Sequence, residues 1–101
     1  MRMVSFHEAA SFEMNEAAKY YEDRATGLGL VFLTQVEESI DQVLANPESC
    51  QCEHGEIRRK RLRRFPYSLF YAIETDRIRV LAVAHQKRRP GYWQERHLRV
   101  Y

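Results

Sequence analysis

At 101 residues the chain has enough length for one domain over residues 1–101 and too little to divide into two cores. Hydrophobic residues at 45% and charged residues at 30% exclude a disordered chain, and no apolar run approaches the roughly 18 residues of a membrane span. The net charge of +2 hides an asymmetry, because residues 1–56 carry three cations and eleven anions while residues 57–101 carry thirteen cations and three anions.

So basic a second half is expected to meet a polyanion or an acidic partner, unless the two halves neutralise each other within the fold. The amino terminus MRMVSFHEAA lacks an apolar core followed by a cleavage site, so a cytoplasmic protein is expected. Cys50 and Cys52 are too few and too close to staple a small secreted domain.

MRMVSF has strand composition, with Met1, Met3 and Phe6 expected to alternate against polar neighbours. From His7 the period becomes helical: Ala10, Met14, Ala17, Ala18, Tyr21 and Ala25 fall on one face, and Glu13, Glu16 and Glu22 are expected on the solvent side. Thr26 and Gly27 stop that helix. A second helix is predicted from Leu28 to about Ala45, with Phe32, Leu33, Val36, Ile40, Val43 and Leu44 as its apolar stripe, and Asn46-Pro47 ends it. So short a link makes the two helices antiparallel.

After the polar loop PESCQCEHGE come three strand-like segments, 57–65, 67–75 and 77–86, separated by Pro66 and by a tight turn at Asp76. They form a three-stranded antiparallel meander. The fold class is therefore α+β: an N-terminal strand, an antiparallel helical hairpin and the meander, with the helices on one face of the sheet. In the last strand Ile78, Val80, Ala82 and Ala84 are expected to point one way and Arg79, Leu81, Val83 and His85 the other. Neither set is polar, so the face away from the helices must be covered by the tail or a partner, or stay partly exposed.

IRRKRLRR holds six cations between Arg58 and Arg64. With Leu62 anchored in the core, strand parity places Arg59, Arg61 and Arg63 in a ladder on the open face, with rungs about 6.5–7 Å apart. Guanidinium groups so spaced hold phosphates through paired donors and stabilise charge developing on a scissile phosphate; an edge strand guarded by cations is the plainer alternative. His85 ends the last strand beside Lys87, Arg88 and Arg89, placed to act as a general base or simply to close the strand. Pro90-Gly91 then turns Tyr92 and Trp93 back toward the open face. Cys50, Cys52 and His54 form a C-x-C-x-H run, but a closed zinc site needs four ligands and no second cluster has suitable spacing. No glycine-rich phosphate loop or G-x-S-x-G elbow is present, so no cofactor is expected.

The order of these pieces resembles the RelE/ParE superfamily, the toxins of bacterial type II toxin-antitoxin modules, often labelled plasmid stabilisation proteins. The resemblance is carried by AAKYYED, GLGLVFLTQVEESIDQVLANP, RRFPYSLFYAIETDRIRVLAVAH and RRPGYW, and covers nearly the whole chain. It implies a growth-arresting toxin neutralised by a cognate antitoxin. RelE-like members cleave mRNA on the ribosome and ParE-like members inhibit DNA gyrase, so both targets stay open. For an endoribonuclease, the resemblance places the basic residues Arg59 and Arg61 on the strand before the FPY turn and a cation and a tyrosine, Lys87 or Arg88 with Tyr92, near the carboxyl end. Arg61, Arg88 and Tyr92 would then be catalytic, with His85 as base from its own setting, since no catalytic role attaches to that histidine in ParE-like members; Arg59, Arg63, Lys87, Arg89 and Trp93 would bind nucleic acid or another target. Tyr67 is followed by Ser68, where the RelE-like pattern has an arginine.

Overall fold

In the computed structural model, which describes residues 3–98, the chain runs β1 (Met3–Phe6), α1 (Glu8–Arg24), α2 (Leu28–Ala45), β2 (Cys52–His54), β3 (Ile57–Arg61), β4 (Tyr67–Ile73), β5 (Arg77–His85) and α3 (Gln94–Leu98). The five strands form one sheet in the order β1-β5-β4-β3-β2, with β1 parallel to β5 and every other pairing antiparallel. The α+β architecture expected from the sequence holds, and α1 and α2 lie on one face of the sheet.

The hairpin forms because α1 offers small residues and α2 large ones. Ala10, Ala17 and Ala18 are buried against Phe32 and Val36, and Leu69, Val80 and Val83 of the sheet complete that core. Gly29 brings the helices together: a Cβ there would lie 2.6 Å from the carbonyl oxygen of Ala18. Between them Gly27 takes a left-handed φ of 88° that favours glycine. The turn has an unforeseen support, since Glu22, expected only to face solvent, accepts the N–H groups of Gly27 at 2.9 Å and Gly29 at 3.0 Å. Its carboxylate thus serves donors that α2 leaves unpaired at its start. Ala25, expected on the apolar face of α1, lies beyond the helix in an extended conformation and is exposed.

The structure corrects four details of the strands. In β1, Val4 and Phe6 pack on the core while Met3 is 72% exposed, because parallel pairing with β5 aligns Val4 with Ile78 and Phe6 with Val80; Met1 lies outside the described residues. The polar loop contains a short exposed strand, β2, held by pairing to β3 instead of by burial, so the meander has four strands and not three. The segment predicted to run to Phe65 ends as a strand at Arg61; Leu62 turns into the helix-side core, and its N–H bonds the Tyr67 carbonyl at 2.9 Å. In β5, Leu81 is an extra residue between the pairs Phe70–Ala82 and Tyr71–Val80. This bulge reverses the parity beyond it. Ile78, Val80 and Val83 therefore serve the helix side, whereas Leu81, Ala82 and Ala84 join Phe70 and Ala72 on the open face.

The Phe65-Pro66-Tyr67 turn locks sheet to helices. Phe65 lies 4.8 Å from the Tyr21 ring and 5.2 Å from Phe32, while Tyr67 lies 5.1 Å from Phe32, all edge-on. Gln86 donates its N–H to the Pro66 carbonyl at 2.9 Å, so the turn also fixes the end of β5.

Candidate functional site

The open face is roofed by the tail. Ala82 and Ala84 are small, and the trough they leave on the sheet is filled by Trp93, which stacks on Phe70 at 4.6 Å. The chain reaches that position through a tight reversal: the Arg88 N–H bonds the His85 carbonyl at 3.0 Å, and Gly91 takes a φ of 77°. Trp93, expected on a target-binding rim, is thus a core residue at 2% exposure.

Between this roof and the sheet lies a cleft of about 160 Å³. Arg59, Arg88 and Arg89 stand around it, Phe70 and Ala84 form its floor, and Ser68 and His85 line one end. Arg59 is held in place by its neighbours: its Nε donates to Ser68 Oγ at 3.3 Å, and Nη1 lies 3.6 Å from the Glu53 carboxylate on β2. Ser68 is 5% exposed, so the position where the resemblance expects an arginine instead holds a small buried acceptor that orients the arginine next door.

The predicted ladder keeps two rungs. Arg59 pairs opposite Phe70 and Arg61 opposite Ser68, on the open face, and both line a further hollow of about 120 Å³ beside the cleft. Arg63 is not a third rung, because β3 has ended and this residue is exposed on the following bend. Arg58, on the opposite parity, serves the fold by donating to the carbonyls of Glu48 and Cys50. Lys87 is exposed on the turn after β5.

His85 and Tyr92 both line the cleft, but His85 Nδ1 is engaged by the neighbouring backbone and the Tyr92 hydroxyl points into the protein. His85 Nδ1 accepts the Lys87 N–H at 3.0 Å, and its ring packs 5.1 Å from that of Tyr67. A neutral ring accepting at Nδ1 carries its proton on Nε2, so it presents a donor and not a base. Tyr92 donates its hydroxyl to Glu13 Oε2 at 2.7 Å, and Arg88 lies over its ring at 3.9 Å. Burial, reinforced by the bond to Glu13, pushes the Tyr92 hydroxyl well above the usual range of a phenol.

Sequence reasoning missed Glu13. Expected on the solvent side of α1, its side chain is 12% exposed and its oxygens accept from Tyr92, from both terminal nitrogens of Arg96 at 3.0 and 2.9 Å, and from the Val83 N–H at 3.0 Å. Arg96 also donates to the Leu81 carbonyl at 2.9 Å. Although burial opposes its charge, the hydrogen bonds it donates to Glu13 and the charge of that carboxylate raise the Arg96 pKa. The stretch of β5 edge that β1 is too short to cover is thus completed by two side chains. The sequence signal was its spacing: Glu13 lies three residues after Ala10 and four before Ala17, at the border of the buried face, whereas Glu16 lies farther round the helix.

The ParE toxin family model, described as the ParE toxin of the type II toxin-antitoxin system parDE, matches residues 4–90. Among solved structures, a chain from the chromosomal ParDE toxin-antitoxin system of P. aeruginosa is similar with a TM-score of 0.63 and 18% identity, covering 84% of this chain and 96% of that one. At that identity the likeness concerns the fold. No curated protein sequence gives a significant match. Among the described residues no helix is long and apolar enough to cross a membrane, and no three His, Cys, Asp or Glu side chains are grouped to hold a metal ion. Because the family match takes in the first strand, the helical hairpin and the whole meander, the chain belongs to the ParE toxin family of type II toxin-antitoxin systems, whose members pair with a cognate antitoxin.

Proposed function

We propose that the protein arrests growth by binding and inhibiting DNA gyrase, that it does so through the arginine-lined rim of the cleft, and that its antitoxin relieves the arrest. The observation that carries this reading is the internal engagement of the two residues best suited to proton transfer: His85 Nδ1 is taken by Lys87 and the Tyr92 hydroxyl by Glu13. General acid-base chemistry needs a group within reach of the substrate proton and with a pKa near the working pH. The Tyr92 hydroxyl is turned inward, and its pKa has moved away from neutrality. A binding toxin needs no such pair, only a complementary surface with a few anchoring residues.

A supercoiling assay with purified toxin tests the proposal. The wild-type chain is expected to abolish supercoiling by gyrase, and the double variant Arg59→Ala/Arg89→Ala to require about tenfold more protein for the same effect. Undiminished supercoiling at excess toxin overturns it.

One observation favours an mRNA endoribonuclease instead: Arg59 and Arg61 stand on the open face and line two hollows, where they suit a run of phosphates. For that activity, transcripts mapped during toxin expression would show new 5′ ends, and alanine at both Arg61 and Tyr92 would abolish them together with arrest. Intact transcripts in arrested cells exclude it.

A further inference from the structure

The tail that roofs the cleft is held from the opposite side of the molecule, and we propose that Glu13 is the positioning residue of the toxic rim. A carboxylate has about four lone-pair sites. Those of Glu13 meet four donors: Tyr92 Oη, two nitrogens of Arg96 and the backbone N–H of Val83. Three belong to the tail and one to the strand it must lie against. Glu13 therefore joins α1, the open edge of β5 and the segment after Pro90 at one point.

From that point the order passes outward to the rim. Tyr92, fixed through its hydroxyl, offers its ring to Arg88 on one side and to Arg96 on the other, at 3.9 and 5.1 Å. Trp93, the next residue, is pressed onto Phe70. Arg88 and Arg89 then stand at the cleft because the residues that follow them are pinned. Tyr92, Trp93 and Arg96 lie beyond the span matched by the family model, which ends at residue 90. Without the carboxylate, Arg96 would be a largely buried cation with no anion and Tyr92 a buried donor with no acceptor, and the tail would leave the sheet to hydrate them. Glu13 makes no contact with a target in this role; it acts through Tyr92 and Arg96.

The inference rests on the rim being the working surface, and the two ideas are tested separately. Trp93 is the single tryptophan of the chain, so its fluorescence reports the tail alone. In Glu13→Gln, acrylamide quenching of Trp93 is expected to rise about threefold, with cooperative far-UV unfolding retained, since the helix-side core is untouched. Growth arrest is expected to weaken by at least about tenfold, the scale on which misplaced functional groups lose effect. Tyr92→Phe, which removes one bond and keeps the ring, is expected to raise quenching to an intermediate degree and remains informative if the glutamine variant does not fold. Unchanged quenching in Glu13→Gln, or in Tyr92→Phe where that variant stands in, overturns the role of Glu13, as does full arrest by a toxin whose tail is shown to be released. If Arg59→Ala/Arg89→Ala arrests growth as strongly as the wild type, the rim is not the working surface, and quenching alone then decides whether Glu13 holds the tail.

Discussion

His7 shows how one side chain can make an element depend on pH. Its Nδ1 accepts the Ala9 N–H at 3.0 Å at the start of α1, a capping role more often filled by serine or aspartate. Burial, followed by the positive charges of Arg96 and Arg79, lowers its pKa below the ordinary 6.5, against the smaller opposing pull of Glu8 and Glu13. A histidine whose pKa is lower when folded takes up its proton more readily in the unfolded chain. Its contribution to stability is therefore complete above about pH 6.5 and is lost as pH falls through the lower folded value. The toxin is expected to lose stability in mild acid, seen as a falling urea midpoint from pH 7 to 5. His7→Asn, which keeps an acceptor and does not titrate, should flatten that slope; an unchanged slope would assign it to other groups. At this scale the candidate site was half legible. Arg59, Arg61, His85, Arg88 and Tyr92 could be picked out by type and parity, but which of their atoms face outward depends on partners, such as Glu13 and the Lys87 N–H, that no local pattern reveals.

Among the elements, the two helices were read almost to the residue because their apolar periods are long and uninterrupted. What the period could not carry was the closeness of the hairpin. Gly29 looks like a weak point in a helix, yet it is buried, and its missing side chain lets α2 rest on the backbone of α1. Gly29→Ala gains helix propensity but forces the two helices apart. The net effect is expected to be a destabilisation of about 1–3 kcal/mol, the usual cost of overpacking, measured by chemical denaturation; an unaltered or raised midpoint would show that the hairpin can yield. In β5, alternation was read correctly up to Leu81 and failed beyond it, because a single bulged residue there exchanges the faces of Ala82, Val83 and Ala84. Two alanines on an open sheet face and one tryptophan downstream are the trace that could have indicated a lid.

For the whole molecule, the charge division of the sequence becomes a division of layers. Eleven of the fourteen acids lie in residues 1–56, most of them in the two helices, and the excess cations lie in β3, β5, the turns and the tail. A small domain with such a dipole presents its basic side to an anionic target from a distance. Association with gyrase, the target proposed above, is therefore expected to slow by about tenfold or more between low salt and roughly 0.5 M, a dependence that stopped-flow mixing would register. A rate indifferent to salt would mean that shape alone guides the encounter. The fold class was legible because element order and short connections leave few arrangements of a hairpin on a meander. Completion of the sheet edge was not, because it joins residues from the two ends of the chain.

That last connection also governs when the protein can act during its own synthesis. Glu13 is made early and its partner Arg96 comes 83 residues later, and β1 likewise waits for residues 77–80 before it has a strand to lie beside. Contacts so distant in sequence form last. A nascent chain that stops before Pro90 would carry α1, α2, all five strands and the cleft arginines but no roof to hold Arg88 and Arg89 in place, so products truncated there should be harmless, and toxicity should begin only once the segment that carries Tyr92, Trp93 and Arg96 has been made.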